Sequence, residues 1–115
     1  MDDWADAVAY ACSLPDVAME KWWGTLCPKI NGKGFMSPGR EAGSFALMVT
    51  KPEKLLLFET DPETFWETAH YRNYPMLLVR YGTPARDRIR LYIQRAWWDR
   101  AKKPQRAVAE MAERP

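Results

Sequence analysis

The chain has 115 residues, 47% hydrophobic and 28% charged, enough for one domain with a buried core and too few for a second independent one. No apolar run approaches the roughly 20 residues of a membrane span, and the acidic opening Met1-Asp2-Asp3-Trp4 lacks the basic and apolar regions of a signal peptide, so the expectation is a cytoplasmic protein with no membrane partner. The net charge of +2 hides an asymmetry, because residues 1–83 hold 8 Lys and Arg against 11 Asp and Glu, whereas residues 84–115 hold 9 against 4.

The first predicted helix spans about residues 3–13. Trp4, Val8 and Ala11 or Cys12 recur at helical spacing, and Ala5, Ala7 and Ala9 add propensity. Cysteine in such a pattern behaves as a small hydrophobe. The other cysteine, Cys27, lies 15 positions on with no CxxC pairing and no histidine nearby. The pair therefore reads as free thiols in a reducing cytosol, and neither a zinc site nor a redox motif is indicated. Leu14-Pro15-Asp16 ends the helix, since the residue before proline is driven out of the α region. Residues 17–23 follow as a half-buried strand, with Val17, Met19 and Lys21 alternating against Ala18, Glu20 and Trp22, and Gly24 stops it. As strand neighbours, Trp22 and Trp23 point to opposite sides.

Residues 25–40 carry Pro28, Asn31-Gly32, Gly34, Pro38 and Gly39, a composition of turns with at most short strands. Asn31-Gly32 is a hairpin signal, because a type I′ turn needs positive φ at both central positions. A strand is placed near residues 33–36 and another at residues 44–49. Thr50-Lys51-Pro52-Glu53 is a helix start, with a threonine cap, proline in the first turn and glutamate completing a capping box, and the helix runs to about Glu59.

After Asp61-Pro62-Glu63, residues 64–69 and 76–81 are the two arms of an antiparallel pair. Between them lies a polar, aromatic turn with the chain's one histidine, His70, beside Tyr71, Arg72, Asn73, Tyr74 and Pro75. Such a turn sits at one end of a sheet, where side chains meet a ligand while the strands hold them still. Thr83-Pro84 opens the longest helix, which reaches about Lys102. Ile89, Ile93 and Trp97 face the core, and Arg88, Leu91, Arg95, Trp98 and Lys102 form a mixed basic and apolar face. Lys103-Pro104 breaks this helix, and residues 105–113 form a last one.

Several short motifs occur in a characteristic order: Leu14-Pro15 before the first strand, Trp23-Gly24 followed by Pro28, Gly32-Lys33 with Phe35, and Lys51 at the second helix. Asp61-Pro62, His70-Tyr71, Tyr74-Pro75, Trp97 and Pro104 continue it. In this order the chain resembles the MmcQ/YjbR family of small bacterial proteins over nearly its whole length. The resemblance implies a two-layer α+β fold over residues 1–115 as one domain. Its antiparallel sheet would carry helices on one face, in a secretion-chaperone-like α-β3-α-β2-α order. The resemblance also implies DNA binding, with no catalytic activity established for the family. Two stretches depart from the family pattern: Asp16-Val17-Ala18 stands in place of Gly-Val-Glu, and residues 37–44 carry few family features.

The candidate site residues fall into two sets. The first would contact DNA through charge: Arg88, Arg95 and Lys102 on the long helix, with Lys33 and Arg72 from the sheet side. Those contacts are phosphate-directed, because nothing resembles a base-reading recognition helix. A solvated arginine-rich helix has the same composition, and both readings stay open. The second set, Trp22, Trp23, His70, Tyr71 and Tyr74, offers rings for a small molecule or a peptide, although Tyr71 and Tyr74 equally suit covering the end of the sheet. Lys51 at a helix start suits an anion or plain solvation. Imidazole is the usual general base, yet catalysis needs a nucleophile or second acid, and Glu63 and Glu67 lack a recognisable spacing. No P-loop, dinucleotide fingerprint or metal-ligand cluster occurs, so the expectation is a non-enzymatic binding protein without a cofactor or metal.

Overall fold

In the computed structural model, which describes residues 1–115, the side chain of Asp3 accepts from the backbone N–H of Asp6 and opens helix α1, Trp4–Cys12. An aspartate here satisfies one of the free N–H groups of the first turn. Ala7 and Ala11 are the buried stripe. Cys12 is exposed, contrary to its expected role as a small core residue, because a step of about 100° takes it off the line that Ala11 holds.

Two tight turns then build a first sheet. β1 (Ala18–Trp22), β2 (Thr25–Ile30) and β3 (Lys33–Gly34) pair antiparallel in that order. Asn31 and Gly32 have φ of 54° and 76°, the type I′ geometry that their identity predicts. Trp23 and Gly24 have φ of 54° and 80°, so the expected strand end is a second hairpin turn. It makes residues 25–30 a full strand, longer than the short strands expected there. Pro28 is tolerated inside β2 because it lies opposite Met19, and β3 pairs only with Lys29 and Ile30, so no bond to β3 is lost.

The second sheet contains β4 (Met36–Pro38), β5 (Ser44–Met48), β6 (Phe65–Trp66) and β7 (Met76–Arg80), in the order β4-β5-β7-β6, again antiparallel. Alternation sorts its faces. Phe45, Leu47, Leu77 and Val79 point into the main core, with Ala7 and Ala11 of α1, Leu57 of α2 (Lys51–Thr60), and Ile89, Ile93 and Trp97 of α3 (Arg86–Arg100). Full burial of each large side chain stabilises by about 1.5–3 kcal/mol. Ala46, Met76 and Leu78 point the other way, into a smaller cluster with Tyr71, Trp22 and Trp66. The helices thus cover one face, and an aromatic layer covers the other.

The fold is α+β with antiparallel sheets, but its element count differs from the expected α-β3-α-β2-α. Five strands in two sheets precede α2, and a fourth helix, α4 (Lys103–Val108), follows α3. The capping box forms as expected: Thr50 N–H donates to Glu53 Oε1 at 2.8 Å, and Glu53 N–H donates to Thr50 Oγ1 at 3.3 Å. The arm expected over residues 64–69 is strand only at Phe65–Trp66, because Glu67 turns to an ion pair with Lys54 and Ala69–Tyr71 form a 3₁₀ turn. Helix α3 begins at Arg86 behind Ala85 and not at the expected Thr83 cap, since the Thr83 hydroxyl bonds that of Thr64 at 3.2 Å. The last helix stops at Val108, short of residue 113; Glu110 adopts a left-handed φ of 57°, and the chain returns along α3, where Trp98 Nε1 donates to the Met111 carbonyl. No helix is long and apolar enough to cross a membrane.

Candidate functional site

A buried lysine organises the turn between β6 and β7. Lys54, on α2, donates from Nζ to the carbonyls of Tyr71 and Tyr74, each at 2.9 Å, and lies 2.7 Å from the Glu67 carboxylate. A buried ammonium is costly unless paired and hydrogen-bonded, and here the loop supplies both kinds of partner. The result is a fixed path for residues 70–74. The Tyr71 ring is buried under that path, and its hydroxyl accepts from the backbone N–H of Arg40 at 3.2 Å. His70 meets Tyr71 edge-on, with centroids 4.7 Å apart, and Tyr74 at 6.0 Å.

Arg40 completes this wall. Its Nη1 lies 2.7 Å from His70 Nδ1. A guanidinium only donates, so the imidazole nitrogen is the acceptor in this contact.

The opposite wall is the tip of the β1–β2 hairpin. Trp22 and Trp23 stack there with centroids 4.3 Å apart and planes 20° from parallel. This overturns the expectation that they face opposite sides. Strand alternation fails because Trp23 leaves the strand in a left-handed conformation and folds back over its neighbour. Trp22 in turn packs on Gly34, where a Cβ would clash with the indole ring.

Between the walls is a cleft of about 530 Å³, lined by Trp22, Trp23, His70, Tyr71 and Tyr74, together with Thr25, Ser37, Pro38, Arg40 and Met76. All five residues of the aromatic set therefore share one site. The volume lies in the range of small-molecule sites, about 300–1,000 Å³. Arg40 is the one formally charged residue in the lining, and no carboxylate is present to orient His70 as a base. No group of three or more His, Cys, Asp or Glu is placed to hold a metal ion. The chemistry on offer is stacking, apolar contact and hydrogen-bond donation.

The basic set is divided. Asn31, in the β2–β3 turn, donates to the Arg100 carbonyl and to Gln105, whose side chain accepts from Lys102 N–H; Lys33 and Lys102 thus lie toward the C-terminal end of α3. Lys33 lines a separate hollow of about 340 Å³ with Thr50, Pro75, Asp99 and Arg100. Arg88 is about 18 Å back along the helix axis from Arg100, with Asp61 at 3.8 Å. Arg95 turns inward, 3.3 Å from Glu53, and donates to the Pro115 carbonyl. Arg72 is exposed on the loop that Lys54 holds.

Arg40, Lys54 and Gly34 are site-forming residues that the sequence reading does not single out, and Glu67, weighed there as an acid for His70, pairs instead with Lys54. Lys54 had one usable signal: it lies three residues before Leu57 and so shares that buried face of α2. Arg40 sits in a loop whose composition says only that the chain turns. Comparison with protein-family models, with curated proteins and with solved structures returned no match.

Proposed function

We propose that this chain is a non-enzymatic binding protein whose site is the aromatic cleft and whose ligand is a small planar molecule. The observation that carries the reading is Trp23. It occupies a hairpin turn position with φ of 54°, where asparagine or glycine is the low-energy choice, and it is 69% exposed. A left-handed conformation costs a bulky residue about 1–2 kcal/mol, and strain of this kind collects at binding sites. Stacking on Trp22 holds the ring in place at the cleft, whose lining also includes Tyr74, itself 53% exposed. A thermal-shift and calorimetric screen of planar aromatic compounds tests the reading. Binding should raise the melting temperature, depend on salt far less steeply than DNA binding does and weaken in Trp23→Asn; a screen in which no planar compound binds removes it.

Membership of the MmcQ/YjbR family, a secretion-chaperone-like topology and a cytoplasmic setting belong to the same proposal. They rest on the order of the sequence motifs that carry the resemblance.

DNA binding is the second reading. It is supported by the start of α3, where Arg86, Arg88 and Arg90 are all exposed. Arg88 would contribute with its neighbours, whereas Arg95 is already paired with Glu53. Fluorescence anisotropy with duplex DNA across a salt series tests it: affinity should fall steeply as salt rises, and an absence of binding at low salt eliminates the electrostatic contact.

A further inference from the structure

We infer that the cleft's ligand is an aromatic acid: a planar ring system carrying a carboxylate or phosphate that docks on Arg40. The inference rests on the binding reading above and adds to it the chemistry of the ligand's second end. Four observations converge. Arg40 is the one formal charge in the lining, and no Asp or Glu lines the cleft. No carboxylate lies within ion-pair distance of its guanidinium, so a ligand's acid meets no internal competitor there. Its one side-chain hydrogen-bond partner is His70, through Nη1, which leaves Nε and Nη2 as a donor edge of the kind that takes a carboxylate or phosphate oxygen pair. Its backbone is also held in advance. The Arg40 N–H donates to the Tyr71 hydroxyl, and the Tyr71 carbonyl is held by Lys54, which reduces the ordering left to be done on binding.

The geometry also assigns an orientation. The ring system lies between the Trp22–Trp23 stack and Tyr74, and the acidic group points across the cleft to Arg40. By accepting from Nη1, His70 turns one guanidinium hydrogen away from the ligand.

Calorimetric titration with three matched probes tests this: 2-naphthoate, its neutral isostere 2-naphthamide, and 2-naphthyl phosphate. The native protein should bind an acidic probe about tenfold tighter than the amide, the size of one charge-assisted contact. Arg40→Gln should bring the acidic probes down to the affinity of the amide. Trp23→Asn should weaken all three probes alike and keep the preference for acid. The phosphate and carboxylate arms identify which acid fits. Equal affinity of acid and amide for the native protein overturns the inference while the binding reading stands, as does a preference for acid that survives Arg40→Gln. If none of the probes binds, both fall.

Discussion

The ammonium of Lys54 lies 2.9 Å from the carbonyl oxygen of Tyr71, so a buried charge on α2 sets the position of the ring that floors the cleft. Lys54→Met keeps the apolar stem and removes the donor, leaving the carbonyls of Tyr71 and Tyr74 and the Glu67 carboxylate without it. Breaking a buried pair in this way should destabilise by about 3 kcal/mol. Urea denaturation measures the loss, and amide exchange should quicken at residues 69–75. The double variant Lys54→Met/Glu67→Gln should recover part of the loss, because its carboxylate is no longer charged and unpaired. A full loss in the double variant contradicts the pairing.

Trp23→Asn should separate stability from binding. Asparagine suits the left-handed turn position, so the variant should match or exceed the native protein by up to about 1 kcal/mol, while the exciton signal of the Trp22–Trp23 stack in circular dichroism disappears. A clear loss of stability on denaturation would show that the exposed indole is structural, and the argument from strain would fail with it.

The same turn shows where sequence reasoning reached its limit. Caps, the Asn31-Gly32 turn and the core stripe of Ile89, Ile93 and Trp97 are local or periodic signals, and they were legible. The aromatic set could be named by residue type, but the same types suited covering the end of the sheet, and Tyr71 is buried there. Their assembly was not legible. It depends on a tryptophan adopting a glycine-like φ, on Gly34 leaving room for Trp22, and on Arg40 reaching His70 across 30 positions of sequence. Lys54 was obscured for a related reason: a lysine on a helix is by default solvated, and only tertiary contact with the 70–74 loop makes it a clamp. Charge counting likewise overstated the basic surface, because Arg95 and Arg114 are both paired with Glu53.

Glu53 gives a third test. One oxygen caps the Thr50 N–H, and the other meets Arg95 at 3.3 Å and Arg114 at 2.9 Å. Glu53→Gln keeps the cap and removes the charge. With the arginines 26% and 30% exposed, the ion pairs are partly screened and the cost should be about 1 kcal/mol. Glu53→Ala loses the cap as well and should cost about 1 kcal/mol more. Denaturation in low and high salt checks both, and the deficit of the glutamine variant should shrink as salt rises.

Tyr81 provides the pH dependence. Burial first, and then the nearby Asp3 carboxylate, push its hydroxyl from the ordinary 10.0 up to about 12. The fold favours the neutral phenol, so this contribution is fully present below the unfolded value and is lost as pH rises through the folded one. The native protein should therefore lose stability relative to Tyr81→Phe between pH 10.0 and about 12, while the difference between the two stays constant at lower pH. The hydroxyl is buried with no protein partner, so the phenylalanine variant should be at least as stable near neutrality, by up to about 1 kcal/mol. Stacking on Phe45, with centroids 5.6 Å apart, survives the substitution. Alkaline denaturation of the two proteins, with a difference titration of phenolate absorbance to separate Tyr81 from the other four tyrosines, measures the effect. A midpoint at the ordinary tyrosine value would place the hydroxyl in water and remove the pH term.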